Sequence, residues 1–355
     1  MPHMLSHREN YLRAIRFQGP ETIPCFIYLP HVLFAHHGPD LERVLVRYPQ
    51  FFPGFQPGKI DYANYPYPID ERIGQTVDPW GCTWTMGANG VVGTVTGHPL
   101  ADWSAFEGYQ PPPALPMRAE RITGTWEEER ARVEAARARG DLTGGGLYHG
   151  FFLLRLTYLR GFENLMCDLL DQPPRLARLI DMLKGHSAEL LRHWLELDVD
   201  MITIAEDLGA QTGPLISPAM FRRVVTPVYR ELLAPVKAAG KPIYLHCDGH
   251  VLALLDDFAA AGIDVLNVQD LVNGIDNLAR LAKGRFCISL DVDRQKVVPF
   301  GSPRDIHALV EEEVRRLGSR AGGLMLWVAI YPPATLANVE AVCSAFEKYR
   351  HYWRA

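Results

Sequence analysis

Apolar positions along this chain alternate between two periods. Short apolar runs at residues 23–29, 142–148, 201–205, 242–246, 265–268, 286–290 and 324–328 read as strands. Between them the apolar residues take helical spacing, as in Val251, Leu252, Leu254, Leu255 and Phe258. Helices are expected at 125–139, at 151–196 with a break near Gln172-Pro173-Pro174, at 217–239, 250–261, 274–283, 303–317 and 335–349. Ser217-Pro218 is a cap followed by Pro at the first helical position, and Ser302-Pro303-Arg304-Asp305 resembles a capping box. Gly140 and Gly240 stop helices.

Strand, helix, strand at this spacing implies parallel strands joined by right-handed crossovers. A further run at 51–55, weakened by its Pro and Gly, brings the strand total to the eight that close an α/β (TIM) barrel. An open doubly wound sheet is the alternative, but no GxGxxG follows an early strand. Gly144-Gly145-Gly146 reads either as a phosphate loop or as a place where a helix or ligand approaches the backbone. Residues 7–18 form an amphipathic helix ahead of the first strand. Residues 56–117 break the rhythm. There Gly87-Ala88-Asn89-Gly90 between 83–86 and 91–96 signals an antiparallel hairpin insertion. The whole chain, 1–355, reads as one such barrel domain.

In a barrel the chemistry is placed where strands end and helices begin. The stretch KPIYLHCDGH, 241–250, puts His246, Cys247 and Asp248 at such an edge. Asp248 can be a metal or proton-handling group, or only the cap of the next helix. Other strand ends offer His31, His149, Glu206 with Asp207, Gln269 with Asp270, and Asp291 with Asp293. The last strand offers only Val328, Ala329, Ile330 and Tyr331. Imidazoles and carboxylates converging on one mouth can hold a divalent ion or do acid–base work; the plainer reading is that some of them cap helices or pair with each other. His98 reads as a surface or packing residue. Tyr62, Tyr65, Tyr67, Trp80 and Trp84 line either an aromatic substrate face or the packing of the insertion.

Composition narrows the classes. The chain has 355 residues, 48% hydrophobic and 22% charged, with net charge −5, which gives no electrostatic case for nucleic acid. No apolar run approaches the roughly 18 residues of a membrane span. The N-terminus lacks the apolar core of a signal peptide. The six cysteines are scattered, with no CxxC pair. Cytoplasmic location with reduced thiols is the expectation.

Glu206 to Pro218 (EDLGAQTGPLISP), His246-Cys247-Asp248-Gly249, Asp293-Arg294-Gln295 leading to Pro299-Phe300-Gly301, and the opening HRENYLRAIRFQGPETIP together resemble the uroporphyrinogen decarboxylase superfamily. The resemblance implies the eightfold barrel with its cleft at the strand C-termini. It implies one of two chemistries: cofactor-free decarboxylation, or zinc-dependent methyl transfer between a corrinoid protein and a thiol or similar acceptor. Two departures matter. The porphyrin branch carries arginines after the first strand, where this chain reads Ile27-Tyr28-Leu29-Pro30-His31-Val32. The zinc methyltransferases carry His-x-Cys and a late Cys, where this chain has His246-Cys247-Asp248 and Val328. The expectation is therefore a non-porphyrin enzyme, with corrinoid-linked methyl transfer or demethylation of a small methylated compound leading. A metal shell of Glu206, His246 and Asp248 would suit zinc, iron or manganese. His246, Asp248, Asp291 and Asp293 are the candidate catalytic groups. His31, His149, Asp207, Gln269 and Tyr331 are the candidate substrate contacts. A small-molecule decarboxylase or lyase, and a non-catalytic binding barrel, are the alternatives.

Overall fold

The computed structural model describes residues 5–118, 121–122 and 124–354. The fold is mixed α/β, built on a parallel sheet of seven strands. These are β1 (Cys25–Tyr28), β2 (Gly144–His149), β3 (Met201–Ala205), β4 (Ile243–Cys247), β5 (Val265–Gln269), β6 (Cys287–Asp291) and β7 (Leu324–Ala329). Each follows one of the apolar runs in the sequence. The eighth strand expected at 51–55 is not formed, and the segment makes turns. Pro53 has no N–H to give a ladder, and Gly54 has φ +78°. The parallel sheet thus has seven strands rather than eight among the described residues.

The chain divides into two compact units. The first comprises Met1–Ile73, Gly87–Val92 and Asn267–Ala355. Here β7 lies between β1 and β6, with Phe26 opposite Trp327 and Trp327 opposite Asp291. Ile27, Leu290, Leu326 and Val328 are buried. Burying such a side chain stabilises by roughly 1.5–3 kcal/mol. Helix Pro303–Leu317 starts with the capping box expected at Ser302 and Asp305. The N-terminal helix is shorter than its pattern suggested, His7–Ile15, and ends where Phe17 turns to φ +55°.

The second unit comprises Gly74–Met86 and Gly93–Leu266. In it β3 lies between β2 and β4. The Gly run opens β2. A Cβ on Gly145 would fall 2.2 Å from the Trp194 ring, so close helix packing explains that glycine. The helical stretch after β2 is three helices, Leu153–Arg160, Phe162–Asp171 and Pro174–Glu196. The expected break at Gln172 is present, with φ +53°. The insertion carries three antiparallel strands, Gly74–Val77, Thr83–Met86 and Thr94–Gly97. It is anchored by Asp78, which accepts from Trp80 N (2.9 Å), Cys82 N (2.8 Å) and Trp84 Nε1 (3.0 Å) and pairs with Arg155 at 3.2 Å. Arg155 is fully buried and lies over Trp80, Tyr148 and Tyr158. Trp80 and Trp84 are therefore packing residues in this unit. His98 likewise packs, with Nδ1 at 2.8 Å from the Tyr158 carbonyl. Among the described residues no helix is long and apolar enough to cross a membrane.

Candidate metal centre

The polar residues expected at one mouth fall in both units. His31, Gln269, Asp291, Asp293 and Tyr331 belong to the first, and His149, Glu206, Asp207, His246 and Asp248 to the second.

In the second unit the ends of β2, β3 and β4 are in register. His149 stands opposite Ala205, and Ala205 opposite His246. Residues in one row of a parallel sheet project to one face. The two imidazoles therefore flank a methyl group, which leaves a gap between them. Asp207, two residues beyond Ala205 and of the same parity, reaches that gap. Its Oδ2 lies 3.2 Å from His149 Nε2 and its Oδ1 3.8 Å from His246 Nε2. Asp248 Oδ1 lies 3.8 Å from the same His246 nitrogen. One ligand atom each from His149, Asp207 and His246 lie within 4.8 Å of one another. Burial pushes the Asp207 carboxyl up, but its bond to His149 and the nearby His246 outweigh this and hold it below the usual carboxylate range.

This donor set fits a divalent ion. Zinc binds imidazole nitrogen and carboxylate oxygen at about 2.0–2.2 Å, so tetrahedral ligand atoms sit about 3.3 Å apart. The two Asp207 oxygens lie 3.2 Å and 3.8 Å from the imidazoles, near that value, and one atom from each of the three residues comes within 4.8 Å of the others. The His149, Asp207 and His246 side chains remain 39%, 36% and 22% exposed, so solvent or a ligand can reach the cluster.

Glu206, expected as a ligand, is fully buried on the opposite face. Its Oε1 accepts from Phe152 N (2.8 Å) and Leu154 N (3.1 Å), its Oε2 from Leu153 N (3.1 Å) and the Tyr229 hydroxyl (2.8 Å). It thereby holds the start of helix Leu153–Arg160, where free N–H groups favour an anion. Asp207, rather than Glu206, faces the two imidazoles, and His149, expected as a substrate contact, lies beside it. The period of two contained this signal. Ile202, Ile204 and Glu206 share the buried face, while Thr203, Ala205 and Asp207 share the other.

Asp248 is not a helix cap. The chain continues through Gly249 and His250 to a 3-10 turn at Leu252–Leu254 before helix Leu255–Ala260 begins. Cys247 points to the core. Its sulfur accepts from Leu208 N at 3.3 Å, and burial pushes its thiol well above the ordinary range. The loops after β3 and β4 cross at Gly209 and Gly249, where Gly209 N donates to the Asp248 carbonyl at 3.2 Å.

In the first unit, Asp293 accepts from the N–H groups of Gln295, Lys296 and Val297 at 2.7–3.0 Å and so shapes its own loop. Asp291 is buried with Arg294 at 3.5 Å. Asp270 accepts from Asp293 N at 3.0 Å. Gln269 is buried, and its carbonyl accepts from Asn273. His31 Nδ1 lies 3.0 Å from the Tyr65 hydroxyl, whose ring is 4.8 Å from that of Tyr67. Tyr331 is close enough to Tyr28 for its charge to push the Tyr28 hydroxyl up, after burial.

Residues 103–349 match the family model described as Uroporphyrinogen decarboxylase (URO-D). A curated protein named Uroporphyrinogen decarboxylase, from Synechococcus sp. (strain JA-2-3B'a(2-13)), is 28% identical over 170 residues, 47% of this chain and 46% of that protein. The match thus spans less than half of the relative's length. Among solved structures, a D-psicose 3-epimerase is 11% identical with TM-score 0.40, covering 64% of this chain and 85% of its own. A B12-independent methionine synthase from Shewanella sp. W3-18-1 is 10% identical with TM-score 0.39, covering 80% and 75%. Both likenesses are too loose to inform the chemistry.

Proposed function

We propose, from the premise that this chain belongs to the uroporphyrinogen decarboxylase family, that it is an enzyme using His149, Asp207 and His246 to hold one divalent ion. The reaction is methyl transfer between a small methylated substrate and a corrinoid carried by a partner protein. The carrying observation is the three ligand atoms within 4.8 Å of one another, at the ends of three adjacent strands. A divalent ion held there supplies Lewis acidity toward a heteroatom of the substrate. The chain's own groups do the rest. His149 and His246 offer ring nitrogens, and Asp207 offers charge. Asp248, beside His246 and 30% exposed, can take or return a proton during transfer. Zinc, iron and manganese all accept such a nitrogen and oxygen set.

Elemental analysis of the purified protein, with methylcobalamin offered as a probe donor to thiol acceptors, tests this reading. One equivalent of a divalent metal and loss of the cobalt–methyl absorbance are expected. Loss of both in His149→Ala and His246→Ala ties them to the site. Full activity in metal-free protein sinks the reading.

A second reading is favoured by the His149–Asp207 contact at 3.2 Å, which is an acid–base pair in its own right. In that reading the enzyme is a carboxy-lyase for a small carboxylate, and the pair supplies the proton that replaces carbon dioxide. Uroporphyrinogen is a poor candidate substrate, because several carboxylates call for several cations, and 27–32 contains no Arg or Lys. Coproporphyrinogen formation by purified protein would overturn that exclusion.

A further inference from the structure

Glu206 neighbours the candidate metal centre in sequence but faces away from it. Its four donors come from two places: three consecutive N–H groups, Phe152 to Leu154, and the Tyr229 hydroxyl. Phe152 is three residues past His149, and Glu206 is one residue before Asp207. The backbone adds two more ties. Gly150 N donates to the Ala205 carbonyl at 2.8 Å, and Glu206 N donates to the His246 carbonyl at 3.0 Å. The carboxylate therefore joins the chain just after His149 to the chain just before Asp207. Tyr229, from helix Pro218–Ala238, closes the arrangement from behind.

We propose that Glu206 is a positioning residue that sets the His149–Asp207 contact by bonding the N-terminus of helix Leu153–Arg160. A fully buried carboxylate with four donors has one low-energy orientation, because turning it would strand several backbone N–H groups. That fixes where the backbone of Asp207 leaves the strand. It also fixes the distance to the turn that carries His149. A buried apolar residue of like size could fill the same space but could not hold three N–H groups. The proposal concerns the imidazole–carboxylate contact itself; only its metal arm rests on the function proposed above.

The test compares wild type with Glu206→Gln and the milder Tyr229→Phe. Val225→Ala, on the same helix as Tyr229, controls for lost stability alone. The first readout is the NMR titration midpoint of the His149 ring, assigned with His149→Gln. Asp207→Asn calibrates complete loss of the contact. Removing a carboxylate neighbour lowers an imidazole midpoint. Glu206→Gln is therefore expected to reproduce most of the Asp207→Asn drop, Tyr229→Phe part of it, and Val225→Ala none. The second readout is zinc affinity of the apo-protein. A loss of about 10- to 100-fold is expected in Glu206→Gln, as for other groups that orient ligands. If Glu206→Gln and Tyr229→Phe lower the melting temperature but leave the His149 midpoint where it was, Glu206 only stabilises the fold and the proposal is wrong. If wild type binds no zinc, the metal reading fails by itself and the His149 midpoint still decides the proposal. If Glu206→Gln does not fold, Tyr229→Phe against Val225→Ala decides in the same way.

Discussion

Gly209 and Gly249 touch backbone to backbone. A Cβ built on Gly249 would lie 2.2 Å from the carbonyl carbon and oxygen of Gly209, and Gly249 has φ +83°. A Cβ on Gly209 would meet Gly249 C and His250 N at 2.7 Å. The loops carrying Asp207 and Asp248 therefore cross with no room for a side chain at either position. Gly249→Ala adds a left-handed non-glycine backbone, costing on the order of 1–3 kcal/mol, and a clash besides. We expect a melting temperature several degrees lower and lost zinc binding. A variant as stable as wild type with full zinc binding would show that the crossing is not constrained.

The ligand assignment separates from stability. His149→Ala, His246→Ala and Asp207→Asn each remove one ligand atom from a partly exposed site. Stability should change by no more than about 0.5–1 kcal/mol. Zinc affinity should fall at least 100-fold. Glu206→Gln should instead cost stability. Asp248→Asn keeps shape and loses charge, so activity should fall while metal content stays. Isothermal titration with zinc beside thermal melts checks all five. Unchanged zinc affinity in both histidine variants would remove the metal centre.

His186 makes stability fall with acid. Burial lowers its pKa to about 4; carbonyl bonding at Pro113 opposes this, and nearby Arg155 adds to the lowering. Its Nδ1 lies 3.0 Å from the Tyr148 hydroxyl. A group with a depressed folded pKa contributes stability that is complete above the unfolded value, about 6.5. It is lost as pH falls from there toward 4. Melting temperature should drop between pH 7 and pH 5, and His186→Gln should flatten that drop. An equally steep drop in the variant would assign it elsewhere.

Glu313 works in the other direction. It is fully buried beside Asp270, with Asp291 and Asp293 near. No N–H or O–H of the described residues donates to its oxygens, and its partner is the Asp270 carboxylate. Two carboxylates bond only through a proton, so Glu313 is held neutral. Burial first, then Asp270, pushes it well above the ordinary range. An acid with a raised folded pKa costs nothing below its unfolded value near 4.3, then increasingly destabilises as pH rises. Glu313→Gln keeps a donor for Asp270 without a proton to lose. It should raise the melting temperature more at pH 8 than at pH 5. A gain independent of pH would contradict the shared proton.

Most of the parallel strands were legible because buried parallel strands are short and apolar, and each here is set off by Gly, Pro or charged residues. Residues 51–55 failed because aromatic content mimicked a strand that Pro53 cannot complete. The grouping at the candidate site was half legible. His246 and Asp248 came from strand position alone. Strand position alone does not separate Glu206 from Asp207, but the alternation Ile202, Ile204, Glu206 assigns Glu206 to the core. His149 was placed at a strand end, yet its partnership with His246 depends on register across Ala205, which no local pattern encodes. The loop role of Asp293 depends on three N–H groups that only the folded turn presents.

Ala205 has a consequence for reading genomes. One methyl group separates the two imidazoles, and a single nucleotide change converts an alanine codon to valine. Such a change would fill the gap that Asp207 enters and leave the strand intact. Relatives with Val, Leu or Ile at this position would keep the fold yet crowd the gap between the imidazoles, and the proposed metal site with it. If the proposed centre binds metal, that one column sorts members of a lineage able to hold it from those that are not, before any of them is purified.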